Sequence, residues 1–447
     1  MRNAAFLLLC SLPAWAELSA GAAKRDITPD LQKYGPVYMA GFGHNRVAVG
    51  VHDPLWARCF AIGSARLPLV ICGVDSIGLF MEDVEKIRAR VKELNKHDVN
   101  VVVAALHDHE SPDTMGLWGA SPDKSGINEE YNAFVVEQTA QAAMEAIKSF
   151  KPATFTLAKA HPPILDTFIH DSRPPDVHDS EVIALMAKGQ DGTTIGTLLN
   201  WANHPETLAS KNTQLTSDYS GFLRDRLEQR VGGIAVFVNG AVGGMQSPLG
   251  AKIADLPDDS FEKAQYIGQH VADIAADALK AAKPVNIEGY NFAERQIHIP
   301  TANKGFELAA QANLYKGRKP MTAEKATTTQ VGFIRVRDGD KPVLDIALIP
   351  GELYPELSVG GVERFSGADF PDAPIETPVK SMMSAPYRML FGLADDEIGY
   401  IIPKAEWDNE APWLNGSSKR WYGEVNSVGP EAAPLIVKTF QELVHDQ

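Results

Sequence analysis

A chain of 447 residues, 45% apolar and 22% charged, is long enough for a large buried core and has the make-up of a soluble globular protein. With 57 acidic against 42 basic residues its formal charge is −15 and its pI near 5.3, which argues against nucleic-acid binding and polybasic membrane attachment. Beyond the first segment, no stretch approaches the roughly 20 apolar residues of a membrane helix.

Met1–Ala16 has the form of a secretory leader: Arg2, a short apolar core over Ala4–Leu12, and Ala14-Trp15-Ala16 as a small-x-small cleavage site. The expected product starts at Glu17 and is periplasmic or secreted. Two cysteines then remain, Cys59 and Cys72, on the runs Trp56–Ile62 and Leu69–Val74, which read as a hairpin. They form either a disulfide, in an oxidising compartment, or two buried thiols. Before them, Ala22–Val51 is rich in Gly, Pro and Asn and reads as loop, its glycines allowing backbone to approach a site closely. His44, His52 and Asp53 in this region read as loop and hairpin residues rather than site residues.

Met81–Lys96 carries Val84, Ile87, Val91 and Leu94 at helical spacing, with Glu82 and Asp83 at its positive end. The β-branched run Val99–Leu106 follows as a buried strand and stops at His107-Asp108-His109-Glu110. Asn128–Phe150 reads as a second helix and Phe155–Ala158 as another strand, an order that predicts βαβ units. Pro162–Asp179 is loop. Glu181–Ala187 and Thr193–Trp201 read as an antiparallel pair, the second ending at Asn203-His204-Pro205-Glu206. Asp218 is expected to cap a helix running through Leu223, Leu227 and Val231. Ile234–Val238 is a strand leading into Asn239-Gly240-Ala241-Val242-Gly243-Gly244, a turn of small residues that fits a tight passage near a ligand. A long helix spans Phe261–Ala282. Strands follow near Tyr290–Ile299, Val331–Val336, Val343–Ile349 and Ile398–Ile402, and a last helix over Pro430–His445. Trp407 and Trp413, in the polar excursion Ala405–Arg420, read as surface packing or as an apolar wall. With no repeat and no linker, the expected fold is α/β: mixed β-sheets with flanking helices in one large domain.

Three of these strands end in groups fit to bind a metal: His107, His204 and Glu352. A fourth carries Tyr400. In extended backbone His107 and His109 point the same way. Two histidines, a glutamate and one more oxygen donor make a plausible catalytic zinc site with a position left for water, and His109 is placed to relay a proton. Asp75, Asp108 and Glu110 read either as orienting a ligand imidazole or as structural or solvated groups.

Read together, five blocks resemble the neutral/alkaline non-lysosomal ceramidase family in its catalytic domain. They are Asn100–Pro112 with its His-x-His, Asn200-Trp201-Ala202-Asn203-His204-Pro205, Pro350-Gly351-Glu352, Gly399-Tyr400-Ile401, and Tyr422 within WYGEVNSVGP. The blocks occur in the family's order. The resemblance implies Zn2+ held by His107, His204, Glu352 and Tyr400, with His109 and Tyr422 contacting substrate or stabilising the transition state. It also implies an assisting arginine, for which Arg173 is the nearest candidate. The expected activity is zinc-dependent hydrolysis of an amide, ceramidase-like, on a small-molecule or lipid-like N-acyl substrate. A metal-dependent esterase or phosphoesterase and a non-catalytic binding homologue are the alternatives. The chain departs from the family where Ala241 or a neighbour stands in place of its serine, which favours attack by metal-activated water. The family's C-terminal immunoglobulin-like domain has no expected counterpart.

Overall fold

Apolar residues at a period of two decide the layers. In the computed structural model, which describes residues 18–64 and 66–447, eight strands form one continuous path. Its order is Ile234–Asn239, Thr194–Trp201, Val182–Gly189, Lys151–Ala160, Ser19–Asp26, Trp56–Ser64, Leu67–Val74 and Asn100–Ala105, and Pro284–Val285 pairs to the side of Lys151–Ala160. The two halves are joined only where Ser19 and Ala20 meet Pro152 and Lys151, and they stack face to face. Phe60, Ile62, Leu69 and Ile71 from one half share a core with Leu157, Leu185, Leu198 and Val236 from the other. Their sequence neighbours Cys59, Ala61, Val70 and Cys72 point outward, against the helices Met81–Asn95 and Glu129–Lys148. The helices Asp218–Val231 and Phe261–Ala281 cover the opposite outer face. The stack is tight at Gly73, where a Cβ would lie 2.3 Å from the Phe237 carbonyl oxygen.

A second sheet, in the order Gly289–Pro300, Ala326–Asp338, Lys341–Leu348 and Tyr387–Phe391, supplies Ile334, Ile346 and Leu348 to the same inner core. Its other face, with Phe333, Ala347 and Leu390, packs on the helix Ala432–His445. The expected α/β class, mixed sheets with flanking helices, is what is found.

Of the βαβ units expected through Phe155–Ala158, the first is present, Leu67–Val74 being parallel to Asn100–Ala105. The second is not: Lys151–Ala160 lies in the other half, antiparallel to Ser19–Asp26 and Val182–Gly189. The other parallel pair of the large sheet is Thr194–Trp201 with Ile234–Asn239. Cys59 and Cys72 face each other across the antiparallel hairpin and are joined in a disulfide. The leader expected over Met1–Ala16 lies outside the described residues.

Three further expectations are corrected. Within the segment read as loop from Ala22, residues up to Asp26 belong to the strand Ser19–Asp26, which joins the two halves of the large sheet. Its sequence SAGAAKRD has no β-branched residue, so partner strands rather than intrinsic preference make it a strand. The strand expected over Ile398–Ile402 is reduced to Tyr400–Ile401, paired in parallel with Glu352–Leu353. Trp407 is not on the surface: it packs in the core under the second sheet, while Trp413 stays partly exposed.

Candidate active site

The site forms where three chain segments leave parallel strand pairs at their carboxyl ends, the usual place for ligands in α/β sheets. His107 follows Asn100–Ala105, His204 follows Thr194–Trp201, and Glu352 follows Lys341–Leu348, which is parallel to Tyr387–Phe391. One side chain ties two of these exits together. The Asn239 amide donates to the carbonyls of Leu106 (2.9 Å) and Asn203 (2.8 Å), and its oxygen accepts from the Asn203 N–H (3.1 Å). The turn Asn239–Gly244 thus lies beside the site as expected, with Asn239 rather than the glycines as its anchor.

His107 is not in extended backbone. Its φ is +64°, a left-handed conformation that is unfavourable for a residue with a side chain. The turn it makes, and not strand alternation, brings His107 and His109 together, their rings 4.8 Å apart. The His204 ring lies 4.9 Å from His107 and 5.4 Å from His109. All three are buried, and their ring nitrogens lie within 4.8 Å of one another.

Hydrogen bonds select the tautomers. Nδ1 of His107 lies 2.8 Å from the Ile77 carbonyl, and Nδ1 of His204 2.7 Å from that of Gln246. A carbonyl only accepts, so each Nδ1 carries a proton and each Nε2 is the atom facing the carboxylate, able to donate to it or, without its proton, to hold a cation. Those Nε2 atoms stand 3.3 Å and 3.1 Å from one oxygen of Glu352. With Nε2 unprotonated, three acceptors turned on one point in a buried setting fit a cation. The spacing fits as well: tetrahedral ligands at about 2.05 Å from zinc are separated by about 3.3 Å. Although burial pushes it up, His107 and His204 bring the Glu352 carboxyl down to about 2, so it is ionised at neutral pH. Glu352 pairs in register with Tyr400, and burial followed by the Glu352 charge holds that phenol well above its ordinary range.

His109 has a different setting. Glu206 Oε2 lies 3.3 Å from its Nδ1, and neither ring nitrogen makes an aligned hydrogen bond. Burial, then the nearby His107, His204 and Arg46, push its pKa well below the usual imidazole value, so the ring is neutral. Phe42 meets the ring edge-on at 5.1 Å, and Gly41, at φ +94°, lies so close that a Cβ there would be 2.3 Å from Nδ1. Of the glycines of this segment, Gly41 does approach the site, while Gly43 and Gly50 face open space. Glu206 is itself held by the Ser247 hydroxyl. Its role was not read from the sequence, although it stands two residues after His204.

A cavity of about 380 Å³ opens on this cluster, and His107, His109, Glu352, Tyr400 and Tyr422 line it. Tyr422 is half-exposed, its ring 5.9 Å from that of Tyr400. His204 is buried beside Glu352 rather than in the cavity wall. Arg173 is also outside the wall. Its guanidinium bonds Glu424 (2.7 Å), the Tyr354 hydroxyl (3.1 Å) and the Glu406 carbonyl (2.7 Å). Tyr354 meets Tyr400 edge-on at 6.1 Å, so Arg173 reaches the site through that ring, and it also lies over the Trp421 ring, next to Tyr422, at 5.5 Å. Ala241 is buried in the core below and offers no hydroxyl.

Several flanking groups are structural. Asp75 forms a buried two-pronged ion pair with Arg224 (2.6 and 2.8 Å) and touches no imidazole. Asp108 and Glu110 are buried, not solvated. Asp108 accepts from the Glu110 N–H (3.0 Å), and Glu110 from Arg46 and Asn212. Asp218 is not the cap: Ser217 holds the N-cap position, and Asp218 accepts from the Thr207 hydroxyl at 2.6 Å. His52 and Asp53 bond each other, and Asp53 also takes the Ser217 N–H, as expected of hairpin residues.

No family model matches the chain. A neutral ceramidase of Mycobacterium tuberculosis (strain ATCC 25618 / H37Rv) is 24% identical over 306 residues, which is 60% of this chain and 46% of that protein. The match thus spans about half the length of this curated relative. Two solved structures have the same fold. One is a ceramidase complexed with C2, with a TM-score of 0.73 and 17% identity, covering 96% of this chain and 75% of that one. The other is a neutral ceramidase from Pseudomonas aeruginosa, with a TM-score of 0.69 and 18% identity, covering 96% and 74%. The resemblance to the neutral ceramidases carried by the sequence blocks is therefore found again, as a distant sequence likeness and a shared fold. Among the described residues, no helix is long and apolar enough to cross a membrane.

Proposed function

We propose that this protein is a zinc-dependent hydrolase of N-acyl amides, related to the ceramidases in chemistry as in fold, and that it works outside the cytoplasm. One observation carries the reading. Two imidazoles have their Nδ1 atoms fixed on carbonyls and their Nε2 atoms turned on one oxygen of an ionised glutamate, and His107 and Glu352 line a cavity. His107, His204 and Glu352 would hold the metal, with Tyr400 beside them. When bound, zinc supplies a Lewis acid that polarises a carbonyl and brings the pKa of water to about 7.

The remaining steps belong to the chain. His109, neutral and with Glu206 at its Nδ1 side, takes the proton of the attacking water at Nε2 and gives it to the leaving nitrogen. The C–N bond breaks as C–O forms, so an amide and water become a carboxylic acid and an amine. The phenol of Tyr422 keeps its proton at neutral pH and donates a hydrogen bond to the oxyanion. Arg173 holds Tyr354 against Tyr400 and so positions that ring. With Ala241 buried and lacking a hydroxyl, water is the nucleophile. The buried Cys59–Cys72 disulfide supports an oxidising, extracytoplasmic setting and thereby the leader reading of Met1–Ala16.

The test is metal analysis together with turnover of N-acyl amides, aryl esters and phosphoesters, with and without chelator. About one zinc per chain and chelator-sensitive amide cleavage are expected. Preference for a phosphoester, or amide cleavage untouched by chelator, refutes the reading.

A further inference from the structure

Away from the histidines the cavity wall is mostly apolar, with Phe80, Met115, Trp118, Phe306 and Tyr315 in it. Two buried carboxyls interrupt it, Glu82 and Glu397. Each spends one oxygen on the backbone. Glu82 Oε1 accepts from the Lys319 N–H (2.8 Å), and Glu397 Oε1 from the Gly399 N–H (2.6 Å). The second oxygen of each is buried and, among the described residues, has no hydrogen-bond partner.

The cations in the same wall are committed elsewhere. Arg318 makes two bonds to Asp396 (2.7 and 3.1 Å) and lies over the Phe80 ring at 4.5 Å. Lys319 holds both oxygens of Glu85 (3.0 and 2.8 Å), and Lys325 bonds Glu307 at 2.9 Å. A buried carboxyl oxygen without a donor is costly, and at the wall of a binding cavity a ligand can supply what the protein does not. Glu397 is close enough to Glu352 for their charges to interact, and it stands three residues before Tyr400. It also packs closely on Gly78, where a Cβ would lie 3.0 Å from its Cγ.

We propose that Glu397 is a specificity-determining residue that accepts a hydrogen bond from a hydroxyl or ammonium group of the substrate, so that the cavity selects amides carrying such a donor over wholly apolar ones. Glu82 supplies a second acceptor in the same wall. A site built to bond a donor discriminates strongly against an analogue that lacks it. For the turnover measurement this rests on the hydrolase reading above; for the binding measurement it does not.

The experiment uses the zinc-loaded full chain. In the binding arm, benzyl alcohol, benzylamine and the capped benzyl methyl ether are titrated by calorimetry into wild type, Glu397→Gln and Glu397→Leu, with zinc content measured for each. In the turnover arm, N-hexanoyl amides of 3-aminopropanol and 3-methoxypropylamine are compared, as are 6-hydroxyhexanoyl and 6-methoxyhexanoyl amides of propylamine. Wild type is expected to favour donor over capped member by about tenfold or more in binding and in kcat/KM, the equivalent of one well-made hydrogen bond. Glu397→Leu brings that ratio close to one while retaining zinc, the loss falling on the donor-bearing member. Glu397→Gln, which keeps an acceptor but no charge, spares the alcohol if a hydroxyl is the natural donor and weakens only benzylamine if an ammonium is. A ratio unchanged in Glu397→Leu, no preference in wild type, equal loss on both members of a pair, or loss of zinc each overturns the proposal. If wild type cleaves no amide, the hydrolase reading fails and the binding arm still decides this one.

Discussion

Replacing His109 by Ala separates the His107–His204–Glu352 ligand set from one built on all three histidines, whereas replacing His204 removes a ligand of both. The His204 Nε2 stands 3.1 Å from the Glu352 oxygen, close to the separation of about 3.3 Å expected for two zinc ligands, whereas the three histidines are grouped only to within 4.8 Å. A metal that binds only the folded chain stabilises it by about 2.7 kcal/mol at a free concentration 100 times its Kd. For 447 residues at about 2.1 cal/mol/K each, the unfolding entropy is about 0.9 kcal/mol/K, so wild type gains about 3 °C in Tm. The assay is differential scanning calorimetry with zinc and after chelation, with zinc counted after desalting. His204→Ala and His107→Ala are expected to lose both the zinc and the Tm gain. His109→Ala keeps both and loses turnover. Zinc retained by His204→Ala with the full Tm gain, or zinc lost from His109→Ala, refutes the assignment.

Tyr422→Phe should lower kcat by about 10²–10³-fold with KM little changed, the usual result of removing one oxyanion donor. Glu206→Ala leaves His109 without its carboxylate and should cost about 10–100-fold in kcat with zinc content intact, part of the 10²–10⁴ that acid–base catalysis supplies. Asp75→Ala strands the buried Arg224 guanidinium and should destabilise the fold by about 3–5 kcal/mol in urea unfolding, with full-length soluble protein still obtained at low temperature. Burial raises the carboxyls of Asp171, Glu356 and Glu406 to about 8, from ordinary values of 3.8, 4.5 and 4.5. The folded chain therefore holds protons that the unfolded chain has lost, and the stability they contribute, complete below about pH 4, fades as pH rises through about 8. Tm measured across that range should fall, and less steeply in Glu406→Gln; a Tm rising from pH 5 to 8 in wild type would contradict this.

The residues proposed as the metal set could be read from sequence because each ends an apolar run. His107, His204 and Glu352 follow Asn100–Ala105, Thr194–Trp201 and Lys341–Leu348. A buried strand bears an ionisable group only when it is paired, as Asp345 is with Arg335, so several in a row mark where the backbone leaves the sheet. What could not be read depends on which segments meet. Ser19–Asp26 lacks any strand signal of its own and becomes one by lying against Trp56–Ser64. Asn239 read as part of a tight turn of small residues, and only the approach of Leu106 and Asn203 gives its amide two carbonyls to hold. Asp75, Asp108 and Glu110 carried the right chemistry for second partners of a ligand, yet their partners are Arg224, backbone and Arg46. Charge at a strand end marks a polar region without saying which of its members face the ligand.

The left-handed turn at His107 shows how such a region is held in a working shape. A residue with a side chain at φ +64° is disfavoured by about 1–2 kcal/mol. Three bonds hold the turn: His107 Nδ1 to the Ile77 carbonyl, the Asp108 N–H to the Ser76 carbonyl, and Asn239 to the Leu106 carbonyl. Two come from the end of Leu67–Val74 in the same half of the large sheet and one, from Asn239, from the other half, so both the parallel pairing and the stacking of the halves hold the turn. The same turn faces His107 and His109 toward one cavity while giving them different partners, Glu352 for one and Glu206 for the other. Straight alternation along a strand would have given both rings one environment. On the proposed reading, the break in alternation lets His107 serve as a ligand while His109, two residues on, stays neutral and carries a proton.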